Sequence, residues 1–234
     1  MVDETGTALT QRDIPAMVLI QPLARAGGGL VLRTPGMPDL DVPEPAGVDL
    51  VDVTVWKDTL AASPAGTPAD DWLSAALDRK VRLVWLDDPT RRVVNPEYGE
   101  PGDRVGFADG YPLLLANAAS LDAVNGWLVE SGSIEGPLPM TRFRPNVVIS
   151  GAPPWAEDEW VRGRIRIGGV AFRVAKPCDR CVVTTTDQET GERGHEPLRV
   201  LGRHRNVGQK LLFGVNLIPD AQGPIAVGDP IEVP

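Results

Sequence analysis

Glycine and proline set the first constraint on this chain. Its 234 residues include 25 of one and 23 of the other, about a fifth of the total. Proline inside a helix removes a hydrogen bond, and interior glycine costs about 1 kcal/mol relative to alanine. A chain cut so often turns often, and many turns imply many short strands. The glycine and proline content stays below that of a low-complexity, disordered chain. The length suits one large domain or two small ones, with enough chain to bury a real core.

Charge and cysteine content narrow the class. Lys and Arg total 23 against 32 Asp and Glu, a formal net charge of −9. A nucleic-acid binder needs a basic face, so no nucleic-acid partner is expected. Met1-Val2-Asp3-Glu4-Thr5-Gly6 has neither the basic nor the apolar region of a signal peptide. No run reaches the roughly 20 apolar residues of a membrane span, so no membrane partner is expected and the expected location is cytoplasmic. Cys178 and Cys181 are the only cysteines, which excludes a disulfide framework.

The hydrophobic pattern is mostly that of strands. Val51, Val53 and Val55 alternate with Asp52 and Thr54. Residues 164–167 and 170–174 alternate on either side of Gly168-Gly169, a two-residue hairpin turn. Segments 81–86, 146–150, 181–186 and 225–233 also read as strands. Two helices are predicted. One has Thr67 as N-cap, Pro68 at its first position, and Ala69, Trp72, Leu73, Ala76 and Leu77 on one face. The other has Ser120 as N-cap, with Leu121, Val124, Trp127 and Leu128 apolar and Gly126 as a weak point. Residues 95–106 read as a long loop or a connection between lobes. The fold class is mostly β with a few peripheral helices, in two β lobes.

The densest chemistry is Lys176-Pro177-Cys178-Asp179-Arg180-Cys181. Four readings stand side by side. Structural zinc would need His195 and His204 as distant further ligands. A thioredoxin-like dithiol would put the pair at a helix start, whereas the β-branched run after Cys181 reads as strand. Two buried cysteines in a β core are the common fate of free Cys. A reactive or metal-binding thiolate would be favoured by Lys176 and Arg180. Elsewhere, Arg142-Phe143-Arg144-Pro145-Asn146 leads into a strand, where it can present a guanidinium and an amide to an anion. In Asp109-Gly110-Tyr111-Pro112, Gly110 permits close approach to the backbone.

Taken together these segments resemble the MOSC-domain family of molybdenum-cofactor proteins. The resemblance runs in order through residues 107–115, 119–125, 142–151, 155–160, 176–187, 196–199 and 212–214, and so covers roughly 105 to 234. The N-terminal half is similar to the β-barrel that precedes MOSC in the amidoxime-reducing components. Met1 to Arg12 resembles an internal hairpin of that barrel, entered partway. Relatives have a further stretch before it, with a Lys-Ser pair and an Arg that contact the cofactor. The implied organisation is a partial N-terminal barrel over 1–95 and a MOSC domain over 96–234.

The resemblance implies a molybdenum-pterin cofactor, with Cys181 as metal ligand and catalytic residue. It places Arg144, Asn146 and Arg180 at the pterin and its phosphate, and Asp109, Gly110, Tyr111, Asp179 and Asn216 near the cofactor. Asp179 stands where relatives often have Ser, and His204-Arg205 where they often have Tyr-Arg. Cys178 is read as structural or supporting. The implied reaction is reduction of N-hydroxylated substrates such as amidoximes and hydroxylamines, which takes two electrons and two protons and releases water. Two cysteines in one segment are too few for an iron–sulfur cluster. The electrons would come from a separate ferredoxin, flavoprotein or reductase. Two other readings remain. One is a sulfur or cofactor carrier using a Cys181 persulfide. The other is an inactive, truncated MOSC module. The family also carries an association with pyridoxal phosphate binding.

Overall fold

The computed structural model describes residues 1–233. Chain contacts divide into two compact units, one of residues 1–92 with 188–192, the other of residues 93–187 with 193 onward. Among the described residues no helix is long and apolar enough to cross a membrane.

The first unit holds two antiparallel three-stranded sheets. One is β1 (Gln21–Ala24), β2 (Leu30–Arg33) and β3 (Leu40–Val42), in that order. The other is β4 (Val51–Val55), β5 (Asp58–Pro64) and β6 (Val84–Trp85). The alternation in β4 does what its period predicts: Val53 and Val55 are buried and Asp52 is exposed. Helix α1 (Thr67–Leu77) buries Ala69, Trp72 and Leu73 against Leu32 and Val42. Its N-cap is Gly66 at φ 98°, one residue earlier than expected, with Pro68 still in the first turn.

The strand expected over 81–86 shrinks to Val84–Trp85. Side chains of α1 take the N–H groups a ladder would use. The Val81 N–H donates to Ser74 Oγ at 3.1 Å and the Leu83 N–H to Asp70 Oδ1 at 2.7 Å. Between them Arg82 makes only an isolated bridge to Val2.

The second unit is built on a seven-stranded sheet. Its members are β7 (Leu113–Asn117), β8 (Val147–Ile149), β9 (Arg164–Ile167), β10 (Val170–Asp179), β11 (Asn206–Val207), β12 (Lys210–Pro219) and β13 (Ile231–Glu232). The order is β13-β9-β10-β12-β7-β8, with β11 pairing β12. Among the described residues of this sheet, β7 and β8 pair in parallel and the other strand pairs are antiparallel. Leu115, Ile165, Phe172, Val215 and Leu217 form the core under this sheet. The expected hairpin is present, with Val170 opposite Ile167. Gly168 turns it at φ 53°, and a Cβ there would fall 2.5 Å from Asp229 Oδ2. The strand expected over 225–233 pairs only at β13, because a turn closed by the Ala226 N–H on Asp229 Oδ2 occupies the stretch before it.

Three helices cover this unit: α2 (Ala118–Glu130), α3 (Ala156–Glu159) and α4 (Leu198–His204). The last two were not expected. The cap of α2 is Asn117, whose side chain accepts from the Ala119 N–H at 3.1 Å. Ser120, the expected cap, is buried instead. It donates to Glu157 Oε1 at 2.8 Å and accepts from the Trp155 N–H at 2.8 Å. Gly126 is exposed on α2, and a Cβ there would meet no atom within 4 Å. Gly126→Ala should therefore stabilise the protein by up to about 1 kcal/mol, raising Tm by roughly 2–4 °C in a thermal melt.

Candidate active site

The site is assembled where β10 ends. The β10–β12 ladder slips in register between Val174 and Lys176 and again between Pro177 and Asp179. Pro177 has no N–H to give the ladder, and such irregularities re-aim the side chains that follow. On β12, Gly214 has φ 73°, and a Cβ there would sit 2.5 Å from the Leu115 carbonyl oxygen. Only glycine lets β12 approach β7 this closely. Asp179 then accepts the Leu211 N–H at 2.9 Å and the Arg180 N–H donates to the Leu211 carbonyl at 2.8 Å. These two bonds hold the chain as it leaves the sheet.

The structure overturns the strand expected over 181–186. Cys181 caps a single 3-10 turn, Val182–Thr185. Thr184 Oγ1 donates to the Cys181 carbonyl at 2.9 Å and Thr185 Oγ1 to that of Val182 at 2.9 Å. The threonines give the turn local partners that compete with a ladder, so β propensity is overridden. Cys181 is thereby held half-buried at the start of a turn whose other end, Thr184–Thr186, is buried.

A second segment is pinned against this turn. Arg142, buried, donates from Nη1 to the Thr185 carbonyl and from Nη2 to Asp187, both at 2.9 Å. Phe143 stacks on Phe213 at 3.7 Å between centroids. Arg144 follows with φ 54°, a left-handed conformation that turns the chain sharply. Arg180 reaches across, donating from Nη2 to the Phe143 carbonyl at 2.6 Å and from Nη1 to Cys178 Sγ at 3.0 Å. Its Nε is buried without a hydrogen-bond partner among the described residues. Surrounding protein lowers the Arg144 pKa. Asp109 raises it, Arg180 lowers it and Cys181 raises it, in that order of size. Asp109, Arg144, Arg180 and Cys181 thus share one electrostatic neighbourhood, and Asp179 enters it through the chain.

The remaining expected site residues lie one step away. Asn146 Oδ1 accepts the Leu114 N–H at 2.8 Å and the Asn146 N–H donates to the Leu114 carbonyl at 2.9 Å. Its side-chain amide therefore pegs the start of β7, and its NH2 makes no hydrogen bond among the described residues. Asn216 stands between Leu114 on β7 and Lys176 on β10. Gly110 faces open space: a Cβ there would meet no atom within 4 Å. Tyr111 meets Tyr98 edge-on at 6.2 Å, with Lys176 Nζ 5.7 Å from its ring centre. Burial, then Tyr98 and Glu97, push the Tyr111 hydroxyl up to about 12.

The tyrosine pair gives a direct test. Tyr98 is also raised, first by its hydrogen bond with Glu97. These are the chain's two tyrosines. Folding favours the neutral phenol of Tyr111, so its contribution to stability is complete below pH of about 10 and is lost as pH rises toward 12. Absorbance at the tyrosinate band should stay flat through the pH at which free tyrosine titrates, with the last phase near 12.

The histidines are engaged elsewhere. His204 stacks on Trp127 at 4.3 Å, whereas His195 is exposed and only its main-chain N–H is bonded, donating to Glu135 Oε2 at 2.9 Å. Among the described residues no cluster of three or more His, Cys, Asp and Glu could hold a metal ion, so the four-ligand zinc arrangement is not formed. Arg205 bonds Asp158 and lies over the Trp155 ring at 4.2 Å. Two residues beside the site, and a third that touches one of them, escaped the sequence reading. Arg142 was visible only as part of its motif, and no sequence signal marks Tyr98 or Arg162.

The donor set suits one kind of ligand. It combines two half-buried thiols, Cys181 and the Arg180-bonded Cys178, an arginine whose buried Nε has no partner among the described residues, a second guanidinium beside it and an open glycine. A bulky anion carrying a soft metal fits these features.

Comparison with known proteins agrees. The MOSC domain model matches residues 102–232, and the MOSC N-terminal beta barrel domain model matches residues 1–80. Mitochondrial amidoxime-reducing component 1 of Danio rerio is 31% identical over 99% of this chain and 72% of the relative. The Homo sapiens protein of that name is 30% identical over 99% and 70%. Molybdenum cofactor sulfurase 1 of Aedes aegypti is 32% identical over 93% of this chain, which spans only 29% of that relative. The chain belongs to the MOSC-domain family, with a MOSC N-terminal beta barrel domain followed by the MOSC domain itself.

Proposed function

We propose that this chain is a molybdenum-pterin oxidoreductase that reduces N-hydroxylated substrates, such as amidoximes and hydroxylamines, with electrons from a separate partner protein. The observation that carries the reading is that Arg144 feels both Arg180 and Cys181, which puts one thiol and two guanidiniums in a single electrostatic neighbourhood, and that Arg180 keeps a buried Nε without a hydrogen-bond partner among the described residues. The names of the amidoxime-reducing relatives support the reaction class.

In this reading Cys181 supplies the one thiolate ligand, and Arg144, Arg180 and Asn146 hold the anionic part of the cofactor. Asp109, Gly110, Tyr111, Asp179 and Asn216 flank it. When bound, the cofactor supplies two-electron chemistry toward an N-bound hydroxyl group. The overall change takes two electrons and two protons, breaks the N–O bond and releases water. The protein's own part is to fix Cys181 through the Thr184 and Arg142 bonds and to place positive charge beside it. Pyridoxal phosphate has no part in the reading.

A second reading has support in the match to the sulfurases, in which Cys181 carries a persulfide or the chain delivers the cofactor. One experiment separates the two. The protein is purified from a host that makes the cofactor, assayed for molybdenum, then given dithionite and benzamidoxime. Metal near one per chain with benzamidine formed supports the reductase. Metal-loaded protein without turnover, together with a persulfide on Cys181 by mass spectrometry, supports the carrier. Protein without molybdenum overturns the reductase.

A further inference from the structure

One row of residues crosses the second sheet at the level of the candidate site. Lys176 on β10 stands opposite Asn216 on β12, and Asn216 stands opposite Leu114 on β7. Leu114 bonds Asn146, the residue before β8, through both its N–H and its carbonyl. Opposite residues in a ladder share a face of the sheet. On this face Ala175 and Ile218 pack with Val94 and Val105, and Tyr98 and Tyr111 pack against them. Lys176 thus stands with Tyr111 and Asn216, two residues that the family resemblance puts near the cofactor. The resemblance assigns Lys176 no such contact.

The surroundings of Lys176 are unusual for an ammonium. Its Nζ lies 5.7 Å from the Tyr111 ring centre and 5.8 Å from that of Tyr98. Ring faces attract a cation, but they do not replace oxygen acceptors for its three N–H donors. Among the described residues Lys176 has no hydrogen-bonded oxygen and no carboxylate within ion-pair distance. Glu97 engages the Tyr98 hydroxyl instead. Several other cations of this unit are paired: Arg164 and Arg173 both bond Asp220, and Arg205 bonds Asp158. In a chain of net charge −9, carboxylates are not scarce. Lys176 is half-buried, so its charge is partly desolvated without a counter-charge.

Its place along β10 supplies the direction. Cys178 lies two residues on, and Arg180 Nη1 donates to its Sγ at 3.0 Å. Residues two apart in a strand lie about 7 Å from one another. Lys176 therefore extends the positive charge that Arg144 and Arg180 begin. We propose that Lys176 is a third cation of the candidate site, and that its ammonium takes an oxyanion, a phosphate or a carboxylate, carried by the cofactor or by the substrate. The inference rests on the proposed function only for which of the two carries it.

A phosphorus NMR titration of inorganic phosphate into the full-length, metal-free protein tests the shared chemistry. Wild type should bind phosphate saturably, Lys176→Met should weaken it by about tenfold, and Lys176→Arg should retain it. Retention in the arginine variant separates loss of charge from misfolding. No saturable binding, or equal binding by wild type and Lys176→Met, would overturn the proposal whether or not the protein holds molybdenum. Protein from a cofactor-making host then identifies the source. A fall of about tenfold in molybdenum per chain in Lys176→Met assigns the oxyanion to the cofactor. Unchanged molybdenum, with the ratio of KM for para-carboxybenzamidoxime to that for benzamidoxime raised about tenfold, assigns it to the substrate. A loaded variant that alters neither would place the phosphate away from the site and overturn the proposal. The phosphate titration needs no molybdenum, so the reductase reading can fail while this inference stands, and the reverse.

Discussion

Cys181→Ser should abolish molybdenum retention, lowering metal per chain by at least about a hundredfold in elemental analysis of the purified protein. Serine keeps the size and the main-chain bonds of the turn, including the Thr184 bond to the carbonyl of residue 181. What it removes is the soft, readily ionised sulfur, and an alkoxide is a poor substitute at neutral pH. Cys178→Ser is the matched control. Cys178 accepts from Arg180 Nη1 at 3.0 Å, and under the proposed function it supports the guanidinium rather than the metal. Its loss should cost about tenfold in metal affinity, in line with other supporting contacts. Equal molybdenum in wild type and Cys181→Ser, or the larger loss at Cys178, would reassign the ligand.

Arg173→Met should destabilise the second unit by about 3 kcal/mol, the lower end for breaking a largely buried ion pair. Arg173 bonds Asp103 through both terminal nitrogens, at 2.9 and 2.7 Å, and Asp220 through Nε at 2.6 Å. Its side chain is 13% exposed and that of Asp103 12%. The bonds tie residues 93–106 to β10, so Val94 and Val105 stay packed on Ala175 and Ile218. Methionine keeps much of the stem but leaves the largely buried Asp103 without its cation, while Asp220 retains Arg164 at 3.1 Å.

The acid limb of the stability curve supplies the diagnostic. The bond from Arg173, set against burial and reinforced by the Glu100 N–H, holds the Asp103 carboxyl below its usual range. Its contribution is therefore present above a pH of about 4 and lost as pH falls through the lowered native value. Denaturant melts at pH 7 and pH 3 should differ less for Arg173→Met than for wild type. A pH 7 loss below about 1 kcal/mol would show that the pair behaves as a surface contact.

Residues differed in how plainly their structure was written. The alternation of β4 and the Gly168-Gly169 hairpin were legible because period-two patterning and turn chemistry act over a few residues. Where the reading failed, a side chain elsewhere had taken the backbone. Ser74 and Asp70 cut short the strand expected at 81–86, and Asp229 did the same in the last strand. Thr184 and Thr185 turned a β-branched run into a helical turn at the point that carries Cys181. The extra helices α3 and α4 depend on buried partners such as Ser120 for Glu157 and the Glu196 carboxylate for the Val200 N–H.

The abundance of glycine and proline, together with the seven ordered motifs, determined a mostly β protein of the MOSC family and pointed to Cys181, Arg144 and Arg180. Those conclusions depend on residue type and order, which the sequence contains. The tertiary structure decided which polar groups satisfy one another and which do not. Asn146 gives its Oδ1 to the Leu114 N–H and keeps its NH2 without a hydrogen bond among the described residues, and the buried Arg180 Nε likewise has no partner among them. Such pairings join residues far apart along the chain. Their energies depend on distance and burial, which no local pattern of residues encodes.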